Sequence, residues 1–162
     1  MKAACALIVT LMVWVGAMPA VAQDIDLGGG LTFGSEIDRM GIDLRGNFSV
    51  AEQLTVVPNL QLFFDRNSGN VKISWNTLNV DAHYLIRIDE NFYLYPFTGL
   101  NLTFYTVKIR GNSDTSTRLG LNLGGGGQYR FTENISGFIE MKYVLSDADQ
   151  TVASFGVLAR IR

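Results

Sequence analysis

The sequence predicts an all-β protein, an eight-stranded antiparallel up-and-down β-barrel that follows an N-terminal signal peptide. Three observations lead to this prediction. Apolar and polar residues alternate over most of the chain with a period of two, which is typical of β-strands. The alternating segments are joined by tight turns and by longer polar connections in turn. Helical spacing of apolar residues is not sustained anywhere after residue 22.

Residues 1–22 have the form of a secretory signal peptide. A positive start at Lys2 precedes an apolar run, and the segment ends in Ala-Val-Ala, the small-x-small pattern that signal peptidase reads. We therefore expect an exported domain over residues 23–162, with an uncleaved N-terminal anchor as the alternative. Cys5, the only cysteine, lies in the segment that would be removed, so the exported domain would have no disulfide.

Eight segments of the exported domain show the alternation. In one of them, Leu119, Leu121 and Leu123 alternate with Gly120 and Asn122. No segment after the signal peptide approaches the roughly 18 apolar residues that a membrane-spanning helix needs. The predicted strands lie near residues 25–34, 38–50, 54–64, 73–88, 92–108, 117–131, 135–145 and 151–161.

Two kinds of connection alternate along the chain. Tight turns are predicted at residues 51–53, 89–91 and 132–134, and longer polar connections at residues 35–38, 65–72, 109–116 and 146–150. In an up-and-down sheet, this order places all connections of one kind at the same end. Closing the sheet into a barrel removes the exposed edges that a flat eight-stranded sheet would carry.

Alternation alone leaves open which face of the barrel is apolar. A soluble carrier of the lipocalin type points its apolar residues inward, whereas an outer-membrane barrel points them toward lipid. The predicted polar face carries charges of both signs among glycines, aromatic residues gather toward the strand ends, and short connections alternate with long ones. These features favour the membrane barrel. A soluble secreted carrier of an apolar ligand stays the alternative.

The membrane orientation assigns each strand position to one side. Positions predicted to face lipid include Leu44, Leu60, Leu102, Leu121 and Ile139, and positions predicted to face the lumen include Arg45, Gln61, Asn101, Asn122 and Glu140.

The charged residues and the histidine predicted to line the lumen form the candidate functional site. They are Asp43, Arg45, Asp81, His83, Arg87, Arg118, Arg130, Glu140, Lys142 and Arg160. An eight-stranded barrel is just wide enough for side chains to fill it, and an unpaired buried charge is costly. We therefore expect a structural network of paired side chains that fills the lumen. A small low-conductance pore is the alternative.

Residues 119–135, LGLNLGGGGQYRFTENI, resemble the penultimate hairpin of the small outer-membrane barrel family of the OmpA/OmpX type. That family has a Gly-x-Gly-x-x-Tyr strand, a short turn of the Thr-Glu-Asn kind, and then an acidic and an aromatic residue. Glu140 and Tyr143 occupy the last two places here. The C-terminal pattern Ser154-x-Gly156-x-x-Ala159-x-Ile161 resembles the signal for barrel insertion, although the chain ends in Arg instead of Phe.

The resemblance implies a location in the outer membrane of a Gram-negative cell envelope, reached through the periplasm. It implies contact with outer-membrane lipid and lipopolysaccharide, and a need for periplasmic chaperones and the barrel-insertion machinery. We expect a monomeric, porin-like barrel that is not an enzyme and has a structural or envelope-interacting role.

Two candidate chemical sites are weak. Residues 124–127 are all glycine, but the Lys-Ser/Thr of a phosphate-binding loop does not follow them. His83 and Asp81 share a strand face, but Tyr84 stands where the barrel lipid deacylases have Ser after the His. The barrel proteases work at the outer rim, whereas His83 precedes the tight turn at Asp89. We predict no catalytic, cofactor or metal site, and the formal net charge of −2 argues against nucleic acid.

Overall fold

The structure of the protein, a computed structural model, describes residues 24–68, 71–109, 112–147 and 149–162. The predicted signal peptide lies outside these residues. In the described part, no helix is long and apolar enough to cross a membrane. The strands are β1 Ile25–Gly34, β2 Arg39–Ala51, β3 Leu54–Phe63, β4 Arg66–Ser68, β5 Val71–Tyr84, β6 Ile86–Arg87, β7 Phe92–Ile109, β8 Asn112–Arg130, β9 Ile135–Leu145 and β10 Gln150–Arg160.

The eight long strands close into one antiparallel ring. Its order is β1, β2, β3, β5, β7, β8, β9 and β10, and β10 pairs back to β1 from Asp26↔Arg160 to Gly34↔Val152. The short strands β4 and β6 pair only with β5 and β7 respectively. This arrangement confirms the predicted eight-stranded up-and-down barrel, a form in which the strands of the wall can satisfy one another's backbone polar groups without water.

The connection between β7 and β8 differs from the prediction. The sequence predicts a polar connection over residues 109–116, but β8 begins at Asn112 and pairs with β7 throughout. The first partner of β8 in β9 is Leu121, so residues 112–120 project beyond the barrel wall. This segment is rich in Thr and Ser, and Thr has a high strand propensity without creating an apolar alternation. At about 3.3 Å per residue, the projecting part spans roughly 30 Å along the strand.

The faces of the barrel have the predicted polarity. Leu44, Leu121 and Ile139 are 50%, 53% and 67% exposed on the outside, and Leu60 and Leu102 lie half-buried on the same face. All five residues predicted to face the lumen are buried: Arg45, Gln61, Asn101, Asn122 and Glu140. A soluble carrier with an apolar interior requires the opposite orientation, so that alternative is wrong.

Aromatic side chains ring both ends of the outer surface. Tyr84, Tyr129 and Phe131 are exposed near the tight turns, and Phe33 and Phe64 are exposed near the longer connections. Two such girdles are typical of a barrel whose apolar band spans a bilayer.

Candidate functional site

The lumen is centred on the guanidinium of Arg45, which is held from two strands. Its Nε donates to Asp43 Oδ1 at 2.7 Å, on the same strand, and its Nη2 donates to Asp43 Oδ2 at 3.1 Å. Its Nη1 donates across the lumen to Glu140 Oε1 at 2.5 Å. The guanidinium also lies 3.8 Å from the centroid of the Phe138 ring. A buried cation is thus matched by two carboxylates, which offsets the cost of burying its charge.

Glu140 links this centre to a group of stacked rings. Its Oε1 accepts a hydrogen bond from the Tyr95 hydroxyl at 2.8 Å and lies 4.0 Å from His83 Nδ1. The His83 ring stacks on Tyr95 and Phe97, with centroids 4.8 Å and 4.7 Å away. Tyr95 and Phe97 both belong to β7 and their ring centroids lie 6.3 Å apart, so the histidine is held against one strand, and its Nε2 is left without a partner in the described residues.

Lys142 and Asp81 form a second, looser charge pair. Lys142 Nζ lies 4.0 Å from Asp81 Oδ2, and Asn122 donates to Asp81 Oδ1 at 2.7 Å. All three side chains are buried. The pair balances its own charge inside the barrel, so it adds no net charge to the lumen.

Neutral polar side chains join the charged groups into one network, and the sequence prediction did not include them as site residues. Gln61 Nε2 donates to Asp43 at 3.0 Å, and its Oε1 accepts from Thr77 at 3.1 Å. Asn79 Oδ1 accepts from Asn101 at 2.6 Å and from Asn122 at 2.9 Å. The sequence could have identified them from the period-two alternation, because they take lumen-facing positions on strands of the same barrel as the charged residues.

Two predicted network residues lie outside the network. Arg87 is exposed in β6, where its Nε donates to the Asp89 carbonyl at 3.3 Å. Arg118 is exposed on the projecting part of β8. The alternation assigns both to the lumen face, but it does not say at which depth a residue lies, and both lie beyond the closed wall.

Arg130 and Arg160 lie at the mouth of the barrel, at the end with the tight turns. Arg160 faces Asp26 at 3.4 Å and Asp24 at 4.0 Å. Arg130 lies over the Tyr93 ring, with its Cζ 5.6 Å from the centroid. The remaining predicted residues, Asp43, Arg45, Asp81, His83, Glu140 and Lys142, are buried together in the lumen.

The opposite end of the lumen is filled by apolar side chains. Phe63, Val144 and Val152 form a buried cluster, and Ile37 and Trp75 pack against it. This cluster lies at the end with the longer connections, so the lumen is apolar at one end and polar at its centre and at its other end.

Comparison with known proteins identifies the family. A family model described as outer membrane protein beta-barrel domain matches residues 11–160. The chain belongs to this family. It is therefore a β-barrel protein of the bacterial outer membrane. Outer-membrane barrels have short periplasmic turns and longer extracellular loops, so we assign the end with the tight turns to the periplasm and the projecting strands to the outside of the cell. No curated protein matches the sequence.

Several solved barrels share the fold at low sequence identity. Ail, the attachment invasion locus protein of Yersinia pestis, is 18% identical, with a TM-score of 0.64 over 85% of this chain and 97% of Ail. The N-terminal β-barrel domain of Pseudomonas aeruginosa OprF is 15% identical, with a TM-score of 0.70 over 86% of this chain and 98% of that domain. Neisserial surface protein A is 14% identical, with a TM-score of 0.68 over 84% of this chain and 95% of that protein.

A pair of neighbouring glycines tests how tightly the network is packed. A Cβ added at Gly126 would lie 2.7 Å from both Glu140 Cγ and the Ile139 carbonyl oxygen and 2.8 Å from Tyr95 Cε2, whereas one at Gly125 would meet only the Tyr95 carbonyl, at 3.5 Å. We expect Gly126→Ala to lower the free energy of unfolding in lipid vesicles by about 1–3 kcal/mol, because it overpacks the lumen. The matched control, Gly125→Ala, should change it by no more than about 1 kcal/mol. Equal effects of the two substitutions would contradict the packing described here.

Proposed function

We propose that the protein is a non-enzymatic structural barrel whose lumen is closed by paired side chains, and that it interacts with other envelope components at the cell surface. The observation that supports this proposal is the bond from Arg45 to Glu140, because it spans the lumen from β2 to β9. The lumen holds charges of opposite sign that pair with one another and amides that hydrogen-bond to one another. These are the features of a packed interior.

The competing function is a small low-conductance pore. An ion crossing the lumen would have to separate Arg45 from Glu140, and a separated charge in this environment is costly. It would also have to pass the apolar cluster around Phe63 and Val152 at the outer end. Both obstacles favour the closed barrel.

Conductance measurements separate the two functions. We expect the purified protein in a planar bilayer to show no steady single-channel steps, because the lumen is filled. A double variant, Arg45→Ser with Glu140→Ser, removes the bond across the lumen and serves as the control for successful insertion; it should show measurable leak. Steady, reproducible channels from the unmodified protein would establish the pore and refute the closed lumen.

We also propose a route to the membrane. Residues 1–22 are removed on export, periplasmic chaperones carry residues 23–162, and the barrel-insertion machinery inserts them as a monomer. The C-terminal strand β10 closes the ring with β1. Closure therefore has to wait until β10 has been delivered.

Lipopolysaccharide is the partner that we propose at the cell surface. Lys72 and Lys108 lie directly opposite each other on β5 and β7, in the projecting sheet, and both are exposed. Like charges in directly opposed positions repel each other, and an anionic partner relieves this repulsion. Asp65 offsets part of this repulsion, because its Oδ2 lies 2.7 Å from Lys72 Nζ. Ail has been solved in complex with the heparin analogue sucrose octasulfate, and a polyanion of that kind has the charge this surface would bind.

Binding measurements test this partner. Replacing both Lys72 and Lys108 by Ser should raise the dissociation constant for lipopolysaccharide by about twofold to thirtyfold, because exposed ion pairs contribute about 0.2–1 kcal/mol each. The control, Arg87→Ser, removes an exposed cation at the periplasmic end and should leave binding unchanged. Equal binding by the double variant and the unmodified protein would exclude this surface.

A further inference from the structure

A polar cavity lies inside the barrel at its periplasmic mouth, apart from the hydrogen-bonded centre of the lumen. Its volume is about 190 Å³, and its lining includes Asn47, Thr55, His83, Tyr93 and Arg130. These residues occupy the periplasmic ends of five different strands. The cavity is smaller than the roughly 300 Å³ at which pockets for drug-sized ligands begin. It has room for a ligand of about the size of six water molecules at about 30 Å³ each.

Unpaired polar atoms are concentrated in this lining. Asn47 Oδ1, Thr55 Oγ1, His83 Nε2 and Arg130 Nε are buried without a hydrogen-bond partner in the described residues. Thr55 and His83 are also direct partners in the pairing of β3 with β5. The side chains of Thr55 and His83 are 3% and 2% exposed. Buried polar groups in folded proteins are almost always hydrogen-bonded to protein or to water, so these four atoms require a polar occupant of the cavity.

The charged residues of the lining determine which charged groups the occupant must carry. Arg160 faces Asp26 and Asp24, whereas no carboxylate of the described residues lies within 4.0 Å of Arg130. Glu52 also lines the cavity and is exposed at its rim. A simple anion would pair with Arg130 but meet an excess of carboxylates, and a simple cation would leave Arg130 unpaired. A ligand that carries both charges satisfies both sides.

We propose that this cavity is a periplasm-facing binding site for a small zwitterion of the amino-acid class. The carboxylate of the ligand binds the Arg130 guanidinium, which can accept it in a two-pronged geometry. The ammonium group of the ligand faces the Glu52 carboxylate at the rim, because Asp24 and Asp26 already face Arg160. Beyond His83 the lumen is filled by the Arg45–Glu140 pair, so the ligand enters and leaves from the periplasm only. This binding activity goes beyond the structural role proposed above.

His83 provides a single reporter for this site, because it is the only histidine in the sequence. The protein, purified without a polyhistidine tag and labelled with ¹³C and ¹⁵N at histidine, is reconstituted in lipid nanodiscs and titrated with glycine. We expect a saturable change in the His83 ring signals, with a dissociation constant in the millimolar range. Acetate and ethylammonium each carry only one of the two charged groups, so each should bind at least about tenfold more weakly than glycine.

Variants identify the residue that holds the carboxylate. Arg130→Gln should weaken glycine binding by about tenfold or more, because the charged half of the contact is lost. Arg130→Lys keeps the positive charge but loses the two-pronged hydrogen-bond geometry of the guanidinium, so its glycine affinity should lie between that of the unmodified protein and that of Arg130→Gln. Arg118→Gln, at the opposite end of β8, is the matched control and should bind like the unmodified protein. Heat-dependent gel mobility verifies that each variant is folded.

Three results would overturn the proposal. His83 signals that do not respond saturably to glycine mean that the cavity holds water alone. Acetate binding as tightly as glycine means that the site selects an anion and not a zwitterion. Unchanged glycine affinity in both folded Arg130 variants means that the ligand binds elsewhere.

Discussion

The structure depends on neutralising one guanidinium inside a membrane. Arg45 lies in the lumen of a barrel surrounded by lipid, and its three hydrogen bonds to Asp43 and Glu140 bring two distant strands, β2 and β9, to opposite sides of one charge. That geometry exists only if the ring is closed, because β2 and β9 are not neighbours in the sheet. Glycines supply the space that the centre needs: any side chain at Gly126 would collide with Glu140 and Tyr95. Closure, small residues and ion pairing are therefore parts of one solution.

The bilayer reverses the usual division between core and surface. Leu121 and Ile139 would belong to the core of a soluble protein, but here they are exposed to lipid, while Asn122 and Glu140 beside them are buried. The interior is consequently held together by hydrogen bonds and ion pairs more than by apolar contact. The apolar cluster at the outer end is an exception, and it makes the two ends of the lumen unlike each other. The cavity at the periplasmic end retains polar atoms that the protein itself leaves unpaired.

The sequence predicts most of the strands of this fold, and the features that it does not predict have physical reasons. β1 and β9 have the predicted bounds, and β9 alternates cleanly between a lipid-facing and a lumen-facing side. Residues 112–116 of β8 are predicted as part of a connection, because a strand with water on both sides has no reason to alternate apolar and polar residues. The alternation places Arg118 on the correct face of β8, but it does not say how far along the barrel axis a residue lies. The sequence therefore assigns Arg118 to the lumen network, although it lies on the projecting part of the strand. The partner of Arg45 is also hidden in the sequence, since Glu140 lies 95 residues away.

The central claim is that Arg45 and Glu140 hold the lumen together as a pair, and a double-mutant cycle measures this directly. The unfolding free energy in lipid vesicles is determined for the unmodified protein, Arg45→Met, Glu140→Gln and the combined variant. Each single variant should cost about 3–5 kcal/mol, because it leaves a buried charge without its partner. The combined variant should cost less than their sum by about 1–3 kcal/mol. Costs that add to within about 0.5 kcal/mol would contradict the account, because they would show that the two side chains act independently.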